Sequence, residues 1–259
     1  MPTKNIDLLQ LTETFHSEEI CRETLARLRW PNGIECPRCK SDKYGYDSNA
    51  YRYDCYGCGY SFTALAGTVF QDTKLPLRKW FMAVLLMVEA KKGISANQVK
   101  RTLGVSYKTA WYLCHRIRSA MAEANQLTGT IEVDETYVGG KVRGKGHGYK
   151  GNKTIVAGAV QRGGDVVLQV VGDNGRQTLH DFIRNNSDAR VRRIITDEWP
   201  AYRGISDNDT THETVNHRAE EWVRGDVHTN TVEGVWSLFK RSITGSYHKL
   251  SAKHLEHCA

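Results

Sequence analysis

The sequence predicts an α/β fold that follows a small metal-stapled module and a helical segment, and three patterns support this prediction. Two Cys-x-x-Cys pairs lie within residues 36–58, apolar residues at helical spacing fill residues 76–121, and β-branched runs separated by Gly-rich turns follow Gly129. The change of pattern at Gly129 marks a domain boundary. We therefore expect three domains, over residues 1–66, 67–127 and 128–259.

The composition is compatible with a nucleic-acid partner and argues against a membrane protein. Lys and Arg outnumber Asp and Glu by 36 to 29, which gives a formal net charge of +7. The longest apolar stretch, residues 80–88, is far shorter than the roughly 20 residues that a membrane-spanning helix needs. The N-terminal residues lack the pattern of a secretion signal. We therefore expect a cytoplasmic protein.

Four cysteines predict a structural zinc site. Cys36 and Cys39 are separated from Cys55 and Cys58 by 15 residues, a spacing typical of a zinc ribbon or knuckle. The hairpin predicted around residues 51–54 has too few apolar residues to fold without a staple. A redox dithiol would explain one pair but not both. Four thiolate ligands leave no open position, so this zinc is not catalytic.

The helical segment contains a candidate helix-turn-helix. After one or two short helices within residues 5–29, helices are predicted over 77–90, over 95–102 and from near Ser106. The last two are joined by a Leu-Gly turn and a Ser cap, so the second would enter the major groove. Its first residues are then the candidate DNA contacts: Ser106, Tyr107, Lys108 and Thr109. An ordinary helical hairpin has the same pattern, and the adjacent zinc module favours DNA binding.

The second half of the chain alternates strands and helices. Strands are predicted over 130–137, 154–160, 166–171, up to Thr196 and near 211–215, with helices over 177–184 and from about 231 to 242. The Gly-rich basic segment 141–153 is expected to be a loop. Its charge suits a phosphate contact, and a solvated hairpin tip explains it equally well.

Three acids occupy positions where α/β sheets bind ligands. Asp134 lies in the first strand, Asp197 directly follows an apolar strand, and Glu233 begins the last helix. Carboxylate oxygens suit Mg²⁺ or Mn²⁺, so these acids are candidates for a two-metal phosphoryl-transfer site. Each has an alternative, because Glu132 shares the strand face of Asp134. Asp197 would also cap the helix that follows it, and Glu233 would fit a capping box that starts at Asn230.

Three motifs carry a family resemblance. They are residues 132–140, residues 196–202, which contain Thr196-Asp197 and Ala201-Tyr202, and residues 228–241. In combination they closely resemble the ISXO-type insertion-sequence transposases of bacteria, and the resemblance runs from about Trp30 to about Leu255. It implies a DDE enzyme with a zinc ribbon ahead of a ribonuclease-H-like core, which is a mixed sheet with flanking helices. It also implies Asp134, Asp197 and Glu233 as the metal-binding triad. The 35 residues between the last two match the interval common in DDE enzymes.

The resemblance also implies a mechanism and partners. Such an enzyme binds double-stranded DNA, both the element's terminal inverted repeats and the target, as a homo-oligomer, and it cleaves and joins strands with Mg²⁺ or Mn²⁺. Lys240 shares a helix face with Glu233 and, with Arg241, is a candidate DNA contact; a solvated lysine is the alternative. His228 and Asn230 match the family motif and are further candidates, although Asn230 also suits a helix cap.

Two other functions fit part of the pattern. A DNA-binding regulator with a zinc ribbon and a helix-turn-helix would have no use for three convergent acids. A truncated, inactive transposase remnant would fit the end of the chain at Ala259, because family members continue past the Tyr-His-x-x-Ser stretch of residues 247–251 into a further helix. The active transposase remains the preferred prediction.

Overall fold

The computed structural model describes residues 6–121, 126–139, 153–247, 251 and 255. They fall into two compact units. The front unit comprises Met1–Ala90 and Ile94–Ala120, and the second comprises Lys91–Gly93 and Met121–Ala259. The basic loop predicted over 141–153 falls almost wholly on residues 140–152, which lie outside the described residues. Among the described residues, no helix combines the length and apolar character needed to cross a membrane.

The front unit begins with two helices and a small sheet. The helices α1 (Leu8–Thr14) and α2 (Glu18–Arg29) are capped by the side chains of Asp7 and Ser17. The sheet is antiparallel and consists of β1 (Tyr44–Asp47), β2 (Arg52–Cys55) and β3 (Ser61–Phe62), with β2 in the centre. Its core is aromatic, because the ring of Trp30 packs edge to face against both Tyr53 and Phe62.

Three helices complete the front unit: α3 (Leu77–Glu89), α4 (Ala96–Leu103) and α5 (Tyr107–Met121). Ser95 caps α4, and Gly104 ends it in the left-handed conformation at φ +60°, which glycine adopts without a steric penalty. Ser106 Oγ then accepts from the backbone N–H of Thr109 at 3.1 Å and caps α5. The predicted helix-turn-helix is therefore present, with Val99, Leu103 and Leu113 in its core.

The second unit is built on a mixed five-stranded sheet. Its strands are β4 (Leu127–Val138), β5 (Thr154–Gln161), β6 (Val166–Val171), β7 (Ser187–Thr196) and β8 (Thr211–Thr214), in the spatial order β6-β5-β4-β7-β8. The first three form an antiparallel meander, and β7 and β8 run parallel to β4. This arrangement confirms the predicted α/β class and is consistent with a ribonuclease-H-like core.

Helices cover both faces of this sheet. The helix α6 (Arg176–Asn186) packs on the face that includes Ile131 and Val133, and α7 (Asn230–Ser242) packs on the other. Because side chains alternate along a strand, Glu132 and Asp134 lie on the face of α7. Short 3₁₀ turns at Pro200–Tyr202 and His217–Ala219 lie on the chain between β7 and α7.

Candidate active site

The pairing of β4 with β7 brings two of the predicted acids to one edge of the sheet. Glu132 is paired with Ile195 in the parallel ladder. Asp134 lies two residues after Glu132, and Asp197 lies two residues after Ile195. Because the two strands run parallel, this register sets Asp134, within β4, level with Asp197, which directly follows the last residue of β7.

Negative charge is concentrated around Asp134. The pKa of its carboxyl is raised to about 7, first by burial and then by the charges of Glu135 and Asp197. Two hydrogen bonds act in the opposite direction. The backbone N–H of Glu135 donates to Oδ1 at 2.8 Å, and Trp236 Nε1 donates to Oδ2 at 2.9 Å. The carboxyl of Asp134 is thus held in place and is a weak acid by comparison with an ordinary aspartic acid.

Asp197 has a similar environment. Burial is the largest cause that raises its pKa, and the charges of Glu135 and Glu198 add to it, whereas the charge of His217 lowers it. The backbone N–H of Trp199 donates to Asp197 Oδ1 at 3.0 Å, just ahead of the 3₁₀ turn at Pro200–Tyr202. The N-cap of that turn is Trp199 and no side chain makes the cap hydrogen bond, so Asp197 does not cap it; the bond from Trp199 instead fixes the orientation of the Asp197 carboxylate.

Glu135 is a member of this edge that the sequence pattern did not identify. Asn174 Nδ2 donates to its Oε1 at 3.2 Å, and the hydroxyl of the fully buried Tyr202 donates to its Oε2 at 2.6 Å. Strand alternation places Glu135 on the face opposite Asp134, so periodicity argued against it. Its adjacency to Asp134 in the sequence was the available signal.

Glu132 serves the start of α7. It is fully buried, and it accepts hydrogen bonds from the backbone N–H groups of Thr231 at 2.8 Å and Val232 at 3.0 Å. The hydroxyl of Thr231 donates at 2.8 Å and Arg162 Nε donates at 2.7 Å. Both oxygens are therefore occupied by protein donors. A carboxylate at a helix N-terminus is also favoured by the helix dipole.

Glu233 projects from the first turn of α7. The helix begins at Asn230, its N-cap is Thr229, and no side chain makes the cap hydrogen bond, so the capping box expected to start at Asn230 does not form. The carboxylate of Glu233 is half exposed and accepts from the hydroxyl of Thr229 at 3.2 Å. It lies 3.6 Å from His217 Nε2, which the sequence pattern also did not identify. The ring of His217 packs against that of Trp222, with 4.8 Å between centroids.

The three acids are not gathered into one compact cluster. Among the residues that the structure describes, the four cysteines form the one group of three or more ligand side chains close enough to share an ion. Asp134, Asp197 and Glu233 do not form such a group.

The four cysteines have the geometry of a zinc site. Their sulfur atoms all lie within 4.8 Å of one another, with Cys36 Sγ 3.8 Å from Cys58 Sγ and Cys39 Sγ 3.5 Å from Cys55 Sγ. A tetrahedral zinc ion bound at about 2.3 Å separates its sulfur ligands by about 3.8 Å. The site therefore fits zinc, as the spacing predicts.

The predicted DNA contacts of the front unit differ in their surroundings. Tyr107 and Lys108 are exposed at the start of α5. The hydroxyls of Ser106 and Thr109 lie 2.8 Å apart and are bonded to each other. Tyr107 and Lys108 are therefore accessible to a ligand, whereas the hydroxyls of Ser106 and Thr109 already contribute to the start of α5.

The predicted DNA contacts of the second unit also divide. Asn230, Lys240 and Arg241 are exposed on α7. His228 is partly buried, with Nδ1 3.3 Å from Glu132 Oε1 in an orientation that makes no hydrogen bond. The carbonyl of His228 accepts from Arg162 Nη2 at 3.0 Å. His228 thus belongs to the surroundings of Glu132.

Comparison with known proteins identifies the family. Residues 126–259 match the ISXO2-like transposase domain, and residues 16–61 match the transposase zinc-ribbon domain. The chain belongs to the ISXO2-like transposases. An uncharacterized protein in transposable element ISH50 of Halobacterium salinarum is 31% identical to this transposase, and the match covers 88% of this chain and 84% of that protein.

A distant likeness to a solved structure was also found. It is a chain of the cryo-EM structure of the simian T-cell lymphotropic virus intasome in complex with PP2A regulatory subunit B56 gamma. That chain is 14% identical to this transposase with a TM-score of 0.32, and the match covers 68% of this chain and 66% of that chain. A likeness of this size supports no conclusion. The family match confirms the predicted transposase and zinc ribbon, and it implies DNA transposition chemistry.

Proposed function

We propose that this protein is an active insertion-sequence transposase whose catalytic residues are Asp134, Asp197 and Glu233. The observation that carries the proposal is the register of β4 and β7, which sets the two aspartates side by side at one edge of the sheet. The start of α7, which bears Glu233, is tied to the same strand through Glu132. A DNA-binding regulator gives no reason for this placement of the acids. A truncated remnant would share it, so the test below separates the active enzyme from the remnant by its activity.

The proposed site suits Mg²⁺ or Mn²⁺. The three side chains offer only carboxylate oxygens, which are the ligands that these hard cations prefer. Burial and neighbouring carboxylates raise the pKa of both Asp134 and Asp197, and a bound cation would offset that negative charge. When bound, two such ions supply activation of a water molecule and stabilisation of the leaving oxygen. Glu233, whose side chain is half exposed, is the proposed third ligand.

The proposed reaction has two displacements at phosphorus. In the first, the oxygen of water bonds to a phosphorus atom at the element's end, and the bond to the 3′-oxygen breaks. In the second, that 3′-hydroxyl bonds to a phosphorus atom of the target, and the target's own 3′-oxygen leaves. Both are in-line and form no covalent bond to the enzyme.

Double-stranded DNA is the proposed partner, at the terminal inverted repeats and at the target. We assign binding to the domains over residues 1–66 and 67–127 and catalysis to residues 128–259.

In the front unit, Tyr107 and Lys108 are accessible to bases and phosphates. Ser106 and Thr109 shape the helix start beside them. On α7, the exposed Asn230, Lys240 and Arg241 are available for phosphates near Glu233. His228 acts on the DNA contacts indirectly, since it packs beside Glu132. We propose that the protein acts on the two element ends as a homo-oligomer on DNA.

The test is cleavage and strand transfer on DNA that carries the element's own ends, with Mg²⁺. We expect Asp197→Ala to abolish both products while DNA binding persists. The matched control is Asp209→Ala, which removes an exposed carboxylate elsewhere in the same unit and should leave activity unchanged. DNA binding without any cleavage by the native chain would instead support the truncated remnant or the regulator.

A further inference from the structure

A cavity of about 640 Å³ lies in the front unit, between residues 68–75 and the exposed side of α5. Its wall on α5 includes Lys108 and Thr109, two of the proposed DNA contacts, and continues for two further helical turns to Arg116. A cavity of this volume is in the range of sites that hold small molecules. It is therefore a candidate binding site that extends beyond the start of α5.

Two large aromatic side chains of α5 line the cavity and are exposed. Trp111 is 40% exposed and Tyr112 is 55% exposed, and the buried Trp80 also lines the cavity. A single exposed aromatic residue is ordinary on a protein surface. Two in succession at one cavity offer aromatic surface on which unpaired bases stack. Part of that surface already contacts α5 itself, because the ring of Trp111 packs against that of His115 with 4.2 Å between centroids and Arg116 lies over the ring of Tyr112.

The charge of the cavity suits a phosphate. Lys74, Lys108 and Arg116 line it together with one acid, Asp72. The sequence of α5 contains no acidic residue at all. The cavity therefore favours an anionic ligand.

Arg116 is held in a fixed position within the wall. Its guanidinium lies over the rings of Trp80 at 5.4 Å and Tyr112 at 5.5 Å, and Nη1 donates to the carbonyl of Gln71 at 3.0 Å. These contacts tie α5 to the segment on the other side of the cavity. The site is thus formed before a ligand arrives, which lowers the entropy lost on binding.

We propose that this cavity binds an unpaired nucleotide of DNA, with the base on Trp111 and Tyr112 and the phosphate near Lys74 and Lys108. A flat base with a charged phosphate matches both the rings and the cations that line the cavity. The inference rests on the proposed function in one respect, which is that α5 contacts DNA.

The test compares the affinity of the full-length protein for two probes, without divalent metal. They are a fluorescein-labelled oligo-dT strand and a duplex with the element's end, both followed by fluorescence anisotropy. Stacking of one base contributes about 1–3 kcal/mol, so we expect Trp111→Ala to weaken oligo-dT binding at least 5-fold. Tyr112→Ala should act in the same direction, and both should affect the duplex less.

The matched control is Met121→Ala, which truncates a large exposed side chain of the same helix that does not line the cavity. It should leave oligo-dT affinity unchanged. Failure of the native protein to bind oligo-dT would overturn the proposal, as would equal losses for Trp111→Ala and Met121→Ala. Neither measurement involves cleavage, so loss of the proposed catalytic function and loss of this site are seen in separate experiments.

Discussion

Gly158 affects the surroundings of Asp134, one of the proposed catalytic residues. It is paired with Asp134 across β4 and β5, and the ring of Trp236 lies directly over it. A Cβ atom at this position would stand 2.6 Å from Cη2 and Cζ2 of that ring and 2.9 Å from Leu168 Cδ2. The absence of a side chain therefore lets Trp236 reach Asp134 and donate its hydrogen bond.

We expect Gly158→Ala to displace Trp236 and break that hydrogen bond. Overpacking of this kind costs about 1–3 kcal/mol of unfolding free energy, and strand cleavage should fall with it. Urea denaturation and the cleavage assay measure the two effects. Gly172→Ala is the control, because a Cβ atom there meets no atom within 4 Å. Equal behaviour of the two variants would contradict this role of Gly158.

The raised pKa of Asp134 predicts how stability depends on pH. The folded chain holds this proton up to about pH 7, whereas the unfolded chain releases it near the ordinary value of 3.8. The contribution of this carboxyl to stability is therefore fully present below about pH 4. It is lost as the pH rises towards 7, where a charged carboxylate must stay buried.

Asp134→Asn should consequently stabilise the metal-free protein at pH 8, by up to about 4 kcal/mol, with a difference that shrinks towards pH 4. Urea denaturation in EDTA across this range measures the effect. A difference between the two proteins that does not change with pH would contradict the assignment.

At the residue scale, the sequence predicted Asp134 and Asp197 as candidate metal ligands, but the strand pattern alone could not distinguish Asp134 from Glu132. The distinction depends on what lies opposite each side chain, because Glu132 meets the start of a helix 99 residues later in the chain. Glu135 and His217 were not identified for the same reason. Their roles come from Tyr202, Asn174 and Glu233, which are distant in sequence.

At the scale of elements, the contact between Glu132 and α7 replaces a local helix cap. The N-terminal N–H groups of α7 find their acceptor on β4, and the same carboxylate binds Arg162. Local signals therefore predicted the helix but misassigned its cap. By contrast, Ser95, Gly104 and Ser106 define the helix-turn-helix with bonds to near neighbours, so its helices were predicted to within about two residues.

We expect Glu132→Gln to lower the unfolding free energy by about 3 kcal/mol, because it leaves a partly buried arginine without its partner. Hydrogen exchange at the amides of Thr231 and Val232 should also become faster. Glu221→Gln, in an exposed pair with Arg224, is the control and should cost less than about 1 kcal/mol. A loss for Glu132→Gln no larger than that of the control would show that α7 does not depend on this carboxylate.

At the scale of the whole molecule, the two units have separate cores and different sources of stability. The zinc site lies in the front unit, next to a small aromatic core. The second unit has large apolar clusters on both faces of its sheet. The sequence predicted this contrast, because the cysteine spacing and the strand pattern are both local signals.

Removal of zinc should therefore unfold the ribbon and spare the sheet. We expect about one zinc ion per chain by elemental analysis, and its loss in Cys58→Ser. Limited proteolysis should then cleave within residues 36–62 while the second unit resists. Cys114→Ser, which changes a buried thiol outside the site, should retain zinc. Retention of zinc by Cys58→Ser would contradict the four-thiolate site.

The parallel pairing of β4 with β7 also determines the order in which the proposed DNA-binding elements and metal ligands become available during synthesis. On the ribosome, the zinc ribbon and the helix-turn-helix emerge first, and the antiparallel meander of β4, β5 and β6 can form from neighbouring segments. Asp197 arrives only after α6 has emerged, and Glu233 arrives later still. Under the proposed assignment of functions, a nascent transposase would thus be able to hold DNA before all three of its proposed metal ligands had emerged.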